Sequence, residues 1–220
     1  VKYKDISGPD GVPDGVIDDY DKTNIGSPMP KFTFGWTNTF RYKNFDLSVF
    51  INGSYGNKVY NYLSMKLTHM NSPWTNQLNA VNGRAQLVPI NPNKVYEDGT
   101  MWYNDVSNVM VANPGASIPR ATINDPNDND RISDRYIEDG SYIRLKNISL
   151  GYTFPKKTID KLGLSNLRIY ANIQNLLTIT GYDGYDPEIG ASTSSVNVYG
   201  LDNGRYPSPT VYSFGLNVSF

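Results

Sequence analysis

Val211-Tyr-Ser-Phe-Gly-Leu-Asn-Val-Ser-Phe220 alternates without a break up to the carboxyl terminus. Tyr212, Phe214, Leu216, Val218 and Phe220 fall on one face and Ser213, Gly215, Asn217 and Ser219 on the other, because successive side chains of a strand point to opposite faces. A water-soluble sandwich would bury the apolar face; a membrane barrel would turn it to lipid. The large rings at 212, 214 and 220 favour lipid, since the interfacial girdles of membrane barrels collect aromatic side chains.

The same period of two returns after the breaker Gly26-Ser-Pro-Met-Pro30. Phe32, Phe34, Trp36, Phe40 and Tyr42 share a face interrupted only by Asn38, a polar group that is costly at mid-depth in lipid. Lys43-Asn44 makes a tight turn, and Phe45, Leu47, Val49 and Ile51 continue the apolar face on the way back. Each strand of this hairpin has about ten residues, the length that crosses a bilayer at a tilt. A third strand carries Ile148, Leu150, Tyr152 and Phe154 on its apolar face, with Arg144 and Lys146 read as rim residues. Residues 155–165 form a short connection with a helical turn over 157–162, and Leu167, Ile169, Ala171 and Ile173 mark the fourth strand.

Composition agrees with many short strands and long turns. Hydrophobic residues make up 39% of the 220, yet aromatics reach 13%, with 17 Tyr and 19 Gly; β-rich chains draw on such residues more than packed helices do. Asp outnumbers Glu by 18 to 3 and Asn occurs 25 times, as suits turn-rich loops, where Asx side chains bond their own backbone. The net charge of −1 gives no electrostatic footprint for nucleic acid. With no cysteine, disulfides and thiolate metal sites are excluded. No run of about 18 apolar residues suggests a transmembrane helix, which leaves a membrane barrel open. Val1 opens in a polar segment with no signal peptide, so the chain is expected to be a mature fragment or the C-terminal part of something longer.

Loop lengths give the topology. Short turns join the first strand to the second and the third to the fourth, while 56–141 and 178–209 are long, Asn- and Pro-rich connections. All short turns then lie at one end and all long loops at the other, as in bacterial outer-membrane barrels. Strands are expected at about 31–42, 45–55, 142–154, 166–177 and 210–220, after an extracellular loop over 1–30. Five strands cannot close a barrel, and open edges in lipid are forbidden, so further strands are expected before Val1.

The 1–30 segment holds Asp10-Gly-Val-Pro-Asp-Gly-Val-Ile-Asp-Asp-Tyr-Asp21. Against the calcium-loop pattern Asp10, Asp14 and Asp18 take ligand positions one, five and nine, Gly15 the sharp turn, Val16 the carbonyl ligand, Ile17 the apolar anchor and Asp21 the last carboxylate. Val12 stands where another oxygen ligand belongs and Pro13 stiffens the loop, so an acidic surface turn is the competing reading.

Asp14-Gly-Val-Ile-Asp18 before Pro30-Lys-Phe-Thr-Phe-Gly35, Asn44-Phe-Asp-Leu-Ser48, the run Tyr136 to Tyr152, Ala171-Asn-Ile-Gln-Asn-Leu176, Gly184-Tyr-Asp-Pro-Glu188 and Gly204-Arg-Tyr-Pro207 follow one another in an order that resembles the C-terminal part of a SusC/RagA-family TonB-dependent outer-membrane transporter. Ser213, Gly215, Val218 and Phe220 also resemble the C-terminal signal by which outer-membrane barrels are recognised for insertion. The family resemblance implies an all-β fold: the last strands of a large, about 22-stranded antiparallel transmembrane β-barrel around an N-terminal plug. It implies import of oligosaccharides or peptides, with a SusD-like lipoprotein as lid, the TonB-ExbB-ExbD machinery engaged through the missing N-terminal part, membrane lipid around the barrel, extracellular loops and a periplasmic C-terminus.

Catalytic readings find little support. His69 sits beside Met70 and Asn71 with no nucleophile elbow or zinc partner near it in sequence, so a solvated loop histidine is expected. Glu138-Asp139 reads as turn carboxylates rather than a glycosidase pair. Trp74, Trp102, Tyr103, Tyr182 and Tyr185 are candidate ligand or lid contacts, since such rings can stack on sugars or fill an interface. The alternative to an import barrel is a soluble all-β carbohydrate-binding module, from which strand length and the aromatic face set this chain apart.

Overall fold

A computed structural model describes every residue except Asn124, Pro126, Gly190, Thr193 and Ser194, so parts of the acidic 124–130 stretch and of the 178–209 loop lie outside the described residues. The chain forms two compact units, Val1–Ile25 with Tyr62–Tyr136, and Gly26–Asn61 with Ile137–Phe220.

The second unit is built on an antiparallel sheet of five long strands. They are β1 (Phe32–Tyr42), β2 (Phe45–Tyr55), β3 (Tyr142–Thr153), β4 (Asn166–Thr180) and β5 (Val211–Ser219), hydrogen-bonded in chain order. Trp36 lies opposite Ile51, Val49 opposite Ile148, Ile148 opposite Ile173, and Ile169 opposite Leu216, so one apolar face runs across all five strands. Six apolar side chains among the described residues are buried, Val59, Met65, Ile118, Tyr136, Ile159 and Tyr182, and none belongs to this sheet. Side chains of the apolar face are left exposed among the described residues: Trp36 is 53% and Phe214 83% exposed. Monomeric soluble proteins rarely expose a contiguous apolar surface of this kind. Asn38 is half-buried on this face, opposite Val49.

A bulge resets the phase of the sheet. The pairing of β3 skips Lys146, and that of β4 skips two residues, including Asn175, whose φ of 52° is left-handed; Asn tolerates that region better than most residues. As a result Ile143 and Leu145 join Ile148 and Leu150 on the apolar face. Read from sequence as a rim residue, Arg144 instead turns onto the polar face and is only 3% exposed. An extra residue in one strand shifts every side chain beyond it to the other face, which is why simple alternation misplaces it.

Small residues on the polar face let long side chains lie across it. Arg168 of β4 spans β3 to form a two-pronged bond with Asp46 of β2, at 3.1 and 2.6 Å. A Cβ on Gly151 would collide with both partners, and one on Gly215 would collide with the Tyr170 ring.

The short connection 154–165 carries a helical turn at Lys156–Ile159 and a 3-10 turn at Asp160–Leu162, anchored by the buried Ile159. At the other end of the strands, Lys58–Asn61 pairs with Ile137–Asp139 on one side and Leu201–Asp202 on the other.

The regular elements of the first unit are brief: α1 (Tyr62–Thr68), with Met65 buried, a small antiparallel pair, Leu87–Pro89 with Val109–Val111, and several 3-10 turns, Asn79–Gly83 and Trp102–Asn104 among them. No helix of the described residues is long and apolar enough to cross a membrane.

Arginine in place of Val49, central on the apolar face, is expected to destabilise a lipid-embedded sheet by about 2–4 kcal/mol. Arginine in place of Ser149, on the polar face, is expected to cost far less. Urea unfolding of the full-length protein in lipid vesicles measures both, and equal losses would overturn the facing.

Candidate functional site

The acidic loop folds around its own carboxylates. Asp14 accepts from the Val16 N–H at 2.9 Å, Asp18 from the Tyr20 N–H at 2.8 Å, and Asp21 from the N–H groups of Ile6, Ser7 and Asp18 at 2.7, 3.2 and 2.9 Å. Gly15 takes the left-handed turn at φ 88°. The backbone N–H groups of Ile6 and Asp18 hold the Asp21 carboxyl below its ordinary range. Asp10 is exposed and takes no part in these bonds. Asp5 accepts from the Gly15 N–H through Oδ2 at 2.6 Å, and its Oδ1 is buried without a donor. Val16 contributes its N–H to Asp14, and its side chain is exposed. A buried carboxylate oxygen left without a donor is costly unless a cation or proton meets it. No three of these carboxylates bring oxygens within 4.8 Å of one another; among the described residues His69, Asp125 and Asp130 are the one such group.

The densest polar cluster joins the 181–209 loop to the sheet. Arg144 donates through Nε to Thr178 Oγ1 at 2.8 Å, through Nη1 to Glu188 at 2.6 Å and through Nη2 to Asp186. Lys146 reaches Glu188 at 2.7 Å, and the Tyr142 ring lies 5.6 Å from the guanidinium carbon. Asp186 also accepts from the N–H groups of Glu188 and Ser208, both at 2.9 Å. Burial pushes the Asp186 carboxyl up, but these N–H groups and Arg144 outweigh it and bring it to about 2. The motif residues of the Gly184–Glu188 run and of 142–146 thus meet in one ion network.

Tyr182, proposed from sequence as a ligand or lid contact, is buried instead. Its hydroxyl donates to Asp202, which also accepts from the N–H groups of Gly204 and Arg205 at 2.9 and 3.2 Å. Burial and that carboxylate push the phenol well above its ordinary range. Trp74 is 92% exposed, and Tyr185 is exposed. Trp102 is half-buried and meets Tyr103 edge-on at 5.7 Å. Ser213, Gly215 and Val218 lie on β5, and Phe220 just beyond it is fully exposed. His69 departs from the solvated histidine expected: its side chain is about 10% exposed, with Nε2 2.9 Å from Asp125 and Nδ1 3.7 Å from Asp130.

No family model matches the chain. It is 35% identical over 99% of its length to TonB-dependent receptor P3 of Formosa agariphila, of which it covers 19%. To TonB-dependent receptor SusC of Bacteroides thetaiotaomicron it is 29% identical over 94% of its length, covering 17% of that protein. Among solved structures, the RagAB peptide importer in its closed-closed state superposes with a TM-score of 0.64 at 20% identity, over 97% of this chain and 20% of that one. The open-open state gives 0.64 at 19% identity, over 96% of this chain and 20% of that one. At such identity the likeness speaks for the fold, a piece of antiparallel wall like that of a TonB-dependent receptor. The chain spans about a fifth of the curated relatives it matches. Over nearly its whole length it is related to the TonB-dependent receptors of the SusC/RagA kind.

Asparagine in place of Asp186 leaves Arg144 short of its buried partner, a change expected to cost about 3 kcal/mol and to open 181–209 to protease. Because the folded-state carboxyl lies near 2, below its unfolded value of about 3.9, its contribution is complete above pH of about 4 and disappears as pH falls toward 2. Limited proteolysis of the receptor across that window, wild type against Asp186→Asn, measures the loss.

Proposed function

We propose that the chain is the C-terminal wall of a large, about 22-stranded outer-membrane barrel that imports oligosaccharides or peptides with TonB-derived energy and a SusD-like surface lipoprotein. The observation that carries this reading is the uncovered apolar face across five strands, backed by a polar face with a buried ion network. It favours a lipid-facing wall over the soluble carbohydrate-binding module. The relatives are receptors, and the chain is read as non-catalytic. The 71–115 stretch, with the exposed Trp74 and Tyr103, is proposed as a seat of the lipoprotein, since large rings supply contact area at interfaces. Phe220, with Ser213, Gly215 and Val218, is proposed as the insertion signal.

In the receptor, shortening 71–115 is expected to leave the barrel in the outer membrane and to release the co-purifying lipoprotein. Aspartate in place of Phe220 is expected to do the reverse, lowering the amount of barrel assembled. If the shortened receptor retains its lipoprotein, the loop is not the seat; if Phe220→Asp inserts normally, the terminal pattern is only a strand.

The acidic loop is proposed to hold calcium through Asp5, Asp14, Asp18, Asp21 and the Val16 carbonyl, with Asp5 replacing Asp10. The orphaned Asp5 oxygen supports it. Calorimetry of the chelator-treated receptor is expected to show calcium uptake that Asp5→Asn weakens at least tenfold and Asp10→Asn leaves unchanged; the opposite ranking restores Asp10 as the ligand.

A further inference from the structure

Within the first unit, a concavity of about 920 Å³ is lined by Arg84, Gln86, Tyr103, Asn104, Arg120 and Thr122, among others, a volume within the usual range of ligand sites. Its lining is unusual for this chain. Asp and Glu together outnumber Lys and Arg by 21 to 20, yet no acidic side chain lines the concavity among the described residues. Arg144, Arg168 and Arg131 each meet a carboxylate. Arg84 and Arg120 meet none among the described residues; Arg84 only donates to the Val81 carbonyl, at 3.3 Å. Asp105, next in sequence to the lining residue Asn104, is engaged by Lys94, Tyr96 and Ser107.

We infer that this concavity binds an anionic oligosaccharide, with Arg84 and Arg120 clasping its carboxylate or sulfate groups. The inference rests on the import reading and narrows its substrate class. A guanidinium offers a planar fork of donors that matches an oxyanion, and these two have no carboxylate partner among the described residues. The Tyr103 ring, met edge-on by Trp102 at 5.7 Å, gives an apolar face on which a sugar ring stacks. Gln86, Asn104 and Thr122 provide donors and acceptors for hydroxyl groups.

A peptide finds less purchase at residues 84–86, because the backbone there is already spent. The Ala85 N–H donates to the Ile118 carbonyl at 2.9 Å, the Gln86 N–H to Asn113 Oδ1 at 2.8 Å, and the Gln86 carbonyl accepts from the Ala112 N–H at 2.8 Å. Asn113 also donates to the Arg84 carbonyl at 2.9 Å. No strand edge is left at Gln86 for an extended peptide to join. The same bonds fix the backbone from which Arg84 projects, so glutamine at 84 and 120 removes charge without touching them.

The test uses the purified full-length receptor and four probes of equal length: trigalacturonate, a sulfated trisaccharide, maltotriose and triglutamate. Calorimetry is expected to show at least one charged sugar binding tenfold or more above maltotriose, with affinity falling as salt rises. Arg84→Gln with Arg120→Gln is expected to lower it at least tenfold, and the paired lysine variants to restore part, because lysine keeps the charge and loses the fork. Preference for the uronate or for the sulfated sugar assigns the anion. The inference is overturned if no charged sugar binds above maltotriose, if triglutamate binds as well as the sugars, or if the double variant retains wild-type affinity. Should the double variant fail to fold, Arg120→Gln alone, at an exposed side chain, carries the comparison against an expected loss of threefold or more. Uptake by cells with and without TonB separates the two readings. Binding that depends on the arginines with TonB-independent uptake sinks the import reading alone, and TonB-dependent uptake indifferent to the arginines sinks the anionic site alone.

Discussion

A sheet that meets lipid must satisfy every backbone N–H and C=O from its neighbours, because hydrocarbon offers no replacement partner. The five long strands of the second unit meet that requirement between neighbours, hydrogen-bonded in chain order and antiparallel throughout, and side-chain alternation gives the sheet two different faces. The apolar face then needs no internal core. The few buried apolar side chains lie in connections and in the first unit, where water has to be excluded by the protein itself. On the polar face the constraint runs the other way, and buried charge is tolerated because each charged group is met by several partners.

The Arg144 cluster shows how a long connection is held without a hydrophobic core. Asp186 and Glu188 bring two carboxylates to one guanidinium, while the N–H groups of Ser208 and Glu188 occupy the remaining lone pairs. Asp202 does the same for the far arm of the loop by collecting the Tyr182 hydroxyl and two backbone N–H groups. Sequence runs that carry the family resemblance, such as Gly184 to Glu188, are therefore runs whose side chains close hydrogen-bond networks, a physical reason for their order along the chain.

Much of the sheet was legible from alternation alone, because period two needs nothing beyond neighbouring residues. The hairpin at Lys43-Asn44 and the terminal strand are of this sort. Arg144 was not legible, since the bulge that reverses its facing depends on how β3 and β4 pair, a long-range matter that no local pattern records. For Tyr182 the sequence left ligand or lid contact and loop packing equally open, and packing became visible only when Asp202, twenty positions on, was brought to it. In the acidic loop the left-handed turn at Gly15 was legible from the pattern, whereas the bond from the Gly15 N–H to Asp5 was not, since Asp5 stands before the motif. The Arg84 and Arg120 concavity had no signal in sequence, because its meaning lies in the absence of acidic partners in space.

The three-stranded patch centred on Lys58–Asn61 has a mechanical consequence. Its flanking strands come from the start of β3's approach and from the loop before β5, and the Tyr60 N–H donates to the Gly200 carbonyl at 2.7 Å. Both long connections are thereby stitched into one plate at the ends of the long strands. A force applied to the 181–209 loop is passed as shear through backbone hydrogen bonds to residues 58–61 and 137–139. That part of the rim yields as a panel rather than as separate strings.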